Sequence, residues 1–173
     1  TSFFVTADSI DSVVCKEAKN IFCSFDIPLE GVFKGDRLLF DEKYYASKSN
    51  LLNNAGLIFG FCLYYAKDKG DTLKLFMDRF DFALNQYPNH ISFPQMENDS
   101  SDGKKICEPE VTGIFAAEDI RRARNISFAA RTFYSCGRAV PWFLSVLKPL
   151  RITPSAFFAD FSEWQRCNNG DYK

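Results

Sequence analysis

Apolar positions along this chain recur mostly at helical spacing. Ile10, Val13, Val14, Ile21 and Phe22 fall on one side of a helix predicted from Ser9 to Phe25, with Asp8 or Ser9 as its cap and Pro28 and Gly31 ending it. From Ser49 onward, Leu51, Leu52, Ala55, Leu57, Ile58, Phe59, Phe61, Cys62, Leu63 and Tyr65 leave almost no polar side, which predicts a central core helix stopped at Lys67-Asp68-Lys69-Gly70. Asp71 or Thr72 caps the next helix, Leu73 to about Gln86, with Leu75, Phe76, Phe80 and Leu84 in period. Ala116 to about Cys136 reads as a long amphipathic helix, and a short apolar helix, Trp142 to Leu147, follows the breakers Gly137 and Pro141. Thr153-Pro154 supplies an N-cap and a first-turn proline for the last helix, which reaches about Cys167.

The remaining segments carry weaker patterns. Val32-Phe33 and Leu38-Leu39-Phe40 flank Gly35-Asp36, which allows a small β-hairpin near 32–40. Residues 87–115 are polar and contain three prolines, so they form one long loop, with Ile91-Ser92-Phe93 as a candidate short strand. The expected fold class is therefore mainly all-α. It has an N-terminal arm at 1–8, a single helical core domain over 9–167, and a C-terminal tail at 168–173. Phe3, Phe4 and Val5 put three apolar side chains in the arm, which suits an arm that docks on its own domain or on a neighbouring subunit.

Composition narrows the classes. At 173 residues and 46% hydrophobic, the chain can bury a real core and is not a disordered segment. Nineteen phenylalanines imply a Phe-rich core or a Phe-lined partner surface. The net charge of −1 argues against a classical duplex-DNA binder, although a local basic cluster sets its own field. The six cysteines have no C-x-x-C spacing, and those in apolar helical patterns, Cys62 and Cys136, read as buried reduced thiols. No metal or other cofactor is expected. No run of 18 apolar residues appears, so neither a membrane-spanning helix nor a membrane partner is expected, and no secretory leader is recognisable.

Enzyme signatures are absent: there is no phosphate loop, no G-x-S-x-G and no glycine-rich dinucleotide turn. The single histidine, His90, falls in the polar loop and reads as solvent-exposed. The expectation is a non-enzymatic protein. The arginines carry more. Arg121, Arg124, Arg131 and Arg138 are spaced by 3, 7 and 7, which keeps them broadly on one helical stripe. Such a stripe is either a solvated face balanced by Glu118 and Asp119 or a phosphate-binding strip, since guanidinium forks match phosphate oxygens. Asp160 lies among Phe157, Phe158, Phe161 and Trp164, which leaves little room for a solvent position and favours an ion pair with an arginine of the earlier helix.

Three stretches give the chain a resemblance to the coat proteins of flexuous filamentous plant viruses, of the potyvirus, potexvirus and closterovirus kind. They are Leu52 to Cys62 followed by Lys69-Gly70-Asp71-Thr72, Ile120 to Arg124 running into Phe128-Ala129-Ala130, and Phe157-Phe158-Ala159-Asp160-Phe161. The resemblance implies a helical subunit with extended arms that packages single-stranded RNA in a filament. Its polar trio would fall on Thr72, Arg122 and Asp160, with Arg121 or Arg124 equally placed for the arginine, and Thr72 standing where serine is usual. It further implies sequence-independent phosphate binding, self-assembly through Phe3, Phe4 and Val5, and location in the virion and the host cytoplasm. The alternative reading is a helical protein-interaction module that binds no nucleic acid, and an enzyme with a cysteine nucleophile is a third.

Overall fold

A computed structural model of the chain describes residues 1–96 and 109–168. In chain order, strand β1 (Ser2–Phe4) leads through a short 3₁₀ turn to helix α1 (Ser12–Ala18) and strand β2 (Ser24–Pro28). Strands β3 (Val32–Lys34) and β4 (Arg37–Leu39) form an antiparallel hairpin, followed by helix α2 (Glu42–Ala55) and strand β5 (Ile58–Cys62). Helix α3 (Leu73–Asn85) precedes strand β6 (His90–Ser92). Beyond it lie helix α4 (Ala117–Ala130), which runs directly into a π-helical turn (Arg131–Cys136), then α5 (Phe143–Leu150) and α6 (Pro154–Asn168).

The centre of the fold is a four-stranded parallel sheet in the order β1-β2-β5-β6. Each pair of neighbouring parallel strands is joined through a helix, as parallel pairing requires. The all-α expectation is thus overturned: the chain is mixed α/β. The physical reason lies in two segments. A short, uniformly apolar run suits a buried parallel strand as well as a buried helix, and periodicity cannot separate them. The expected core helix stops at Ala55, where Gly56 adopts φ 67° and the N–H groups of Gly56 and Leu57 bond back to Asn53 and Leu52. That closing motif needs a left-handed residue, which glycine supplies without steric cost. Ile58 to Cys62 then run as β5. Likewise α1 ends at Ala18, and Ile21 and Phe22 beyond it do not face the core: they are 57% and 93% exposed.

The N-terminal segment lies against its own domain. Its residues 2–4 pair in parallel with β2 and form an edge of the sheet, leaving Phe3 and Phe4 exposed and Val5 partly buried. The expected hairpin near 32–40 is present. Within 87–115, β6 occupies His90–Ser92, and residues 97–108 lie outside the described residues, as do 169–173 of the tail.

Strand register gives the sheet two unlike sides. Phe25, Ile27, Phe59, Phe61 and Ile91 share one side and are all buried. Phe61 meets Phe82 of α3 at 6.3 Å, and Phe93, just beyond β6, stacks on Phe80 at 6.2 Å. A second aromatic cluster joins the C-terminal helices: Phe133, Phe143, Phe157 and Phe158 are in mutual ring contact, and Phe158 reaches Phe80 at 5.7 Å. The phenylalanine surplus is therefore mostly core. The N-terminus of α6 is pinned to α3, because Asp81 accepts from the Ser155 backbone N–H at 2.6 Å and from its hydroxyl at 2.8 Å. Among the described residues no helix is long and apolar enough to cross a membrane.

Candidate nucleic-acid interface

Helix α4 buries Ala123, Ile126, Ser127, Ala129 and Ala130 and turns its other side outward. Arg121, Arg122, Arg124, Phe128 and Arg131 are all exposed. Arg121 reaches Glu118 at 3.5 Å, a loose surface pair of small worth. Arg122, Arg124 and Arg131, together with Arg138 and Arg151 further on, have no ion-pair partner among the described residues. Both of these last two sit at left-handed backbone positions that turn the chain, with φ 54° and 56°. Burial pushes the Tyr65 phenol up, and the positive charge of Arg124 opposes that shift. From Ala117 to Asn168 the chain carries eight basic and four acidic residues, although the whole is nearly neutral. The charge is local, as a polyanion face requires.

The other residues expected at an RNA site lie elsewhere around this strip. Thr72 is the N-cap of α3, and its hydroxyl oxygen accepts from the Leu75 N–H at 3.1 Å. Asp160 is exposed on α6, which packs beside α4, and no ion pair joins it to an arginine among the described residues. The aromatic neighbours leave it a solvent position after all: Phe158 takes the core-facing side of α6, while Phe157, Phe161 and Trp164 line up along its flank.

Next to Thr72 lies a buried ion pair. Arg79 of α3 contacts both Asp71 oxygens at 2.9 and 3.0 Å, with side-chain exposures of only 3% and 2%. The guanidinium also donates to the carbonyls of Leu29 and Tyr64, so it ties together the chain just beyond β2 and β5. Burial pushes the Asp71 carboxyl up, against the pull of Arg79 and the N–H groups of Thr72 and Ala66. This pair is structural in its placement, since each charge is spent on the other and on backbone.

A polar cluster that the sequence did not disclose crosses the second side of the sheet. Asp26, Gly60 and His90 are in register on β2, β5 and β6. The His90 ring lies over Gly60, where any Cβ would collide with it, and its Nε2 reaches the Asp26 carboxylate. The other Asp26 oxygen accepts from the Ser2 hydroxyl of β1. The hydrogen bond from His90, aided by Ser2, holds the Asp26 carboxyl below the usual carboxylate range. An ionised carboxylate can only accept, so Nε2 carries the proton. His90 is thus a strand residue with a side chain one-third exposed, not a loop residue in open solvent. The cluster does not form a Ser-His-Asp relay, because serine and histidine both address the aspartate rather than each other.

Of the described cysteines, Cys15, Cys23 and Cys62 are buried, whereas Cys136 and Cys167 are exposed, contrary to the burial expected for Cys136, which ends the π-helical turn. No protein-family model, no curated protein and no solved structure matches the chain. The resemblance to flexuous-virus coat proteins stands on its three short motifs alone.

Proposed function

We propose that the chain binds single-stranded RNA through the outward side of α4 and the π-helical turn, without reading sequence. The observation that carries this reading is a stripe of exposed arginines at helical spacing, Arg121, Arg124 and Arg131, with the exposed ring of Phe128 on the same side; Arg124 and Arg131 have no ion-pair partner among the described residues, and Arg121 has only the loose contact with Glu118. Guanidinium groups left unneutralised on a rigid helix suit phosphates, and an interleaved aromatic suits unstacked bases. Thr72, capping α3, would at most donate its hydroxyl hydrogen to a strand nearby. The coat-protein role, with a filament, a virion and self-assembly, was implied by the same resemblance as the helical subunit that the parallel sheet corrects, and the arginines of α4 bear only on its RNA-binding part. RNA binding is the part of the expectation retained.

The test is fluorescence anisotropy of a labelled oligoribonucleotide across a salt series. Each phosphate contact on a single strand contributes roughly −0.7 to the slope of log affinity against log salt. Replacing Arg121, Arg124 and Arg131 by alanine should flatten the slope by about 2 and leave the circular dichroism unchanged. Equal slopes for parent and variant would remove α4 from the interface.

A second reading, a protein-interaction module, rests on another surface. Phe4 of the edge strand β1 and Ile21 and Phe22, which precede β2, are 62%, 57% and 93% exposed. A chain that ignores RNA yet self-associates on a sizing column at micromolar concentration would favour this reading.

A further inference from the structure

Helix α6 carries a second aromatic arrangement that the core does not account for. Phe157, Phe161 and Trp164 follow one another at one-turn spacing, and their rings are nearly parallel, 12° between the first two and 9° between the last two, each pair 6.0 Å apart. Core aromatics in this chain mostly meet edge to face, as ring quadrupoles favour. The ladder is backed by Phe133, edge-on to Phe161 at 5.2 Å and two residues beyond Arg131. It ends in the indole of Trp164, which is 55% exposed. One indole face is fixed on Phe161 and the ladder continues into solvent. The other exposed indole, Trp142, meets Phe133 at 80° and ends no such ladder.

We infer that Trp164 is a stacking platform for one unpaired base of the RNA, extending the Phe157–Phe161–Trp164 ladder by a fourth ring. This rests on the RNA-binding reading above and adds to it which way the strand faces. The exposed carboxylates of α6, Asp160 and Glu163, repel phosphate, although Glu163 is paired with Arg166. The arginines of the adjoining α4 attract it. The sugar-phosphate chain therefore follows α4, and its bases turn toward α6.

The experiment uses the full chain carrying Trp142→Phe, so that Trp164 is the one indole and is excited selectively over the seven tyrosines. Titration with oligocytidylate should quench the indole, whereas inorganic polyphosphate should bind the arginines and leave the emission unchanged. Adding Trp164→Ala should weaken oligocytidylate binding about tenfold, within the range of one lost base stack, and leave polyphosphate binding as it was. Trp164→Phe should keep most of the affinity. Unquenched emission with saturable RNA binding, or equal RNA affinity after Trp164→Ala, overturns the stacking platform while leaving the arginine strip standing. Failure to bind either polyanion overturns the RNA-binding reading and the platform with it.

Discussion

Gly60→Ala tests the cross-sheet cluster through a single methyl group. In a strand interior, glycine is ordinarily worse than alanine by roughly 0.5–1 kcal/mol, so the exchange should stabilise if the site were empty. It is not empty. A Cβ at position 60 would fall well inside contact distance of three atoms of the His90 ring. The ring tip is the movable partner, so the cheapest relief is for His90 to swing away and leave Asp26. A hydrogen bond to a charged group contributes about 1.5–3 kcal/mol, and this outweighs the backbone gain. The net expectation is a loss of about 1–2 kcal/mol. In a His90→Ala background the obstruction is gone, and the same glycine exchange should become neutral or stabilising. Urea unfolding of the four proteins in this cycle gives both numbers. The reasoning fails if Gly60→Ala costs the same with and without His90, because the penalty would then belong to the backbone rather than to the ring.

Two further outcomes follow from the charged groups. Arg79→Leu leaves Asp71 buried without its counter-charge and should destabilise the chain by roughly 3–5 kcal/mol, and adding Asp71→Asn should return part of that; a double variant no better than the single one would refute the pairing argument. Asp26 has a depressed pKa in the folded chain, so its share of stability is full above the unfolded carboxylate range and disappears as pH falls through the folded value. The stability gap between the parent and Asp26→Asn should accordingly be present at pH 7 and close toward pH 3, whereas a gap that is constant with pH would mean that the carboxylate charge plays no part.

Local chemistry was legible in the sequence and long-range register was not. Thr72 and Thr153 announce their helices through short side-chain bonds within three residues, and both helices begin where those residues stand. The outward stripe of α4 follows from helical spacing alone. The start of α2 is marked only by Asp41, which accepts from the Tyr44 N–H as a cap, and its first turns are polar, so the apolar run after Ser49 dominates the pattern. That run changes from helix to strand at Gly56, and Asn54-Ala55-Gly56 was the available stop signal. The contact between Asp26 and His90 spans 64 residues and exists only because three strands align, so no spacing rule reaches it. Asp160 shows the opposite error. Its aromatic neighbours suggest enclosure, but only Phe158 of that group is fully buried, and a helix has room for an outward carboxylate beside a flank of rings.

The two edges of the sheet explain why the RNA reading and the protein-contact reading need not compete for one surface. An edge strand offers unpaired N–H and C=O groups and invites further pairing unless something covers it. On β6 the Ser135 hydroxyl of the π-helical turn accepts from the Ile91 N–H at 3.1 Å and donates to the Ile91 carbonyl at 3.0 Å, which occupies both groups of that residue. The α4 segment therefore has two roles fixed by one helix: its inner side and the turn that follows close the sheet, and its outer side presents the arginines. On β1 no comparable cover is present among the described residues, and Phe4 stands exposed beside the backbone edge. A strand added to this sheet adds at β1, and two copies related by a twofold axis would meet there antiparallel. That contact lies across the full width of the sheet from the strand that the arginine-bearing segment seals. Self-association at β1 would leave the α4 arginines free to take a polyanion, so loss of one activity by mutation at its own edge should leave the other intact.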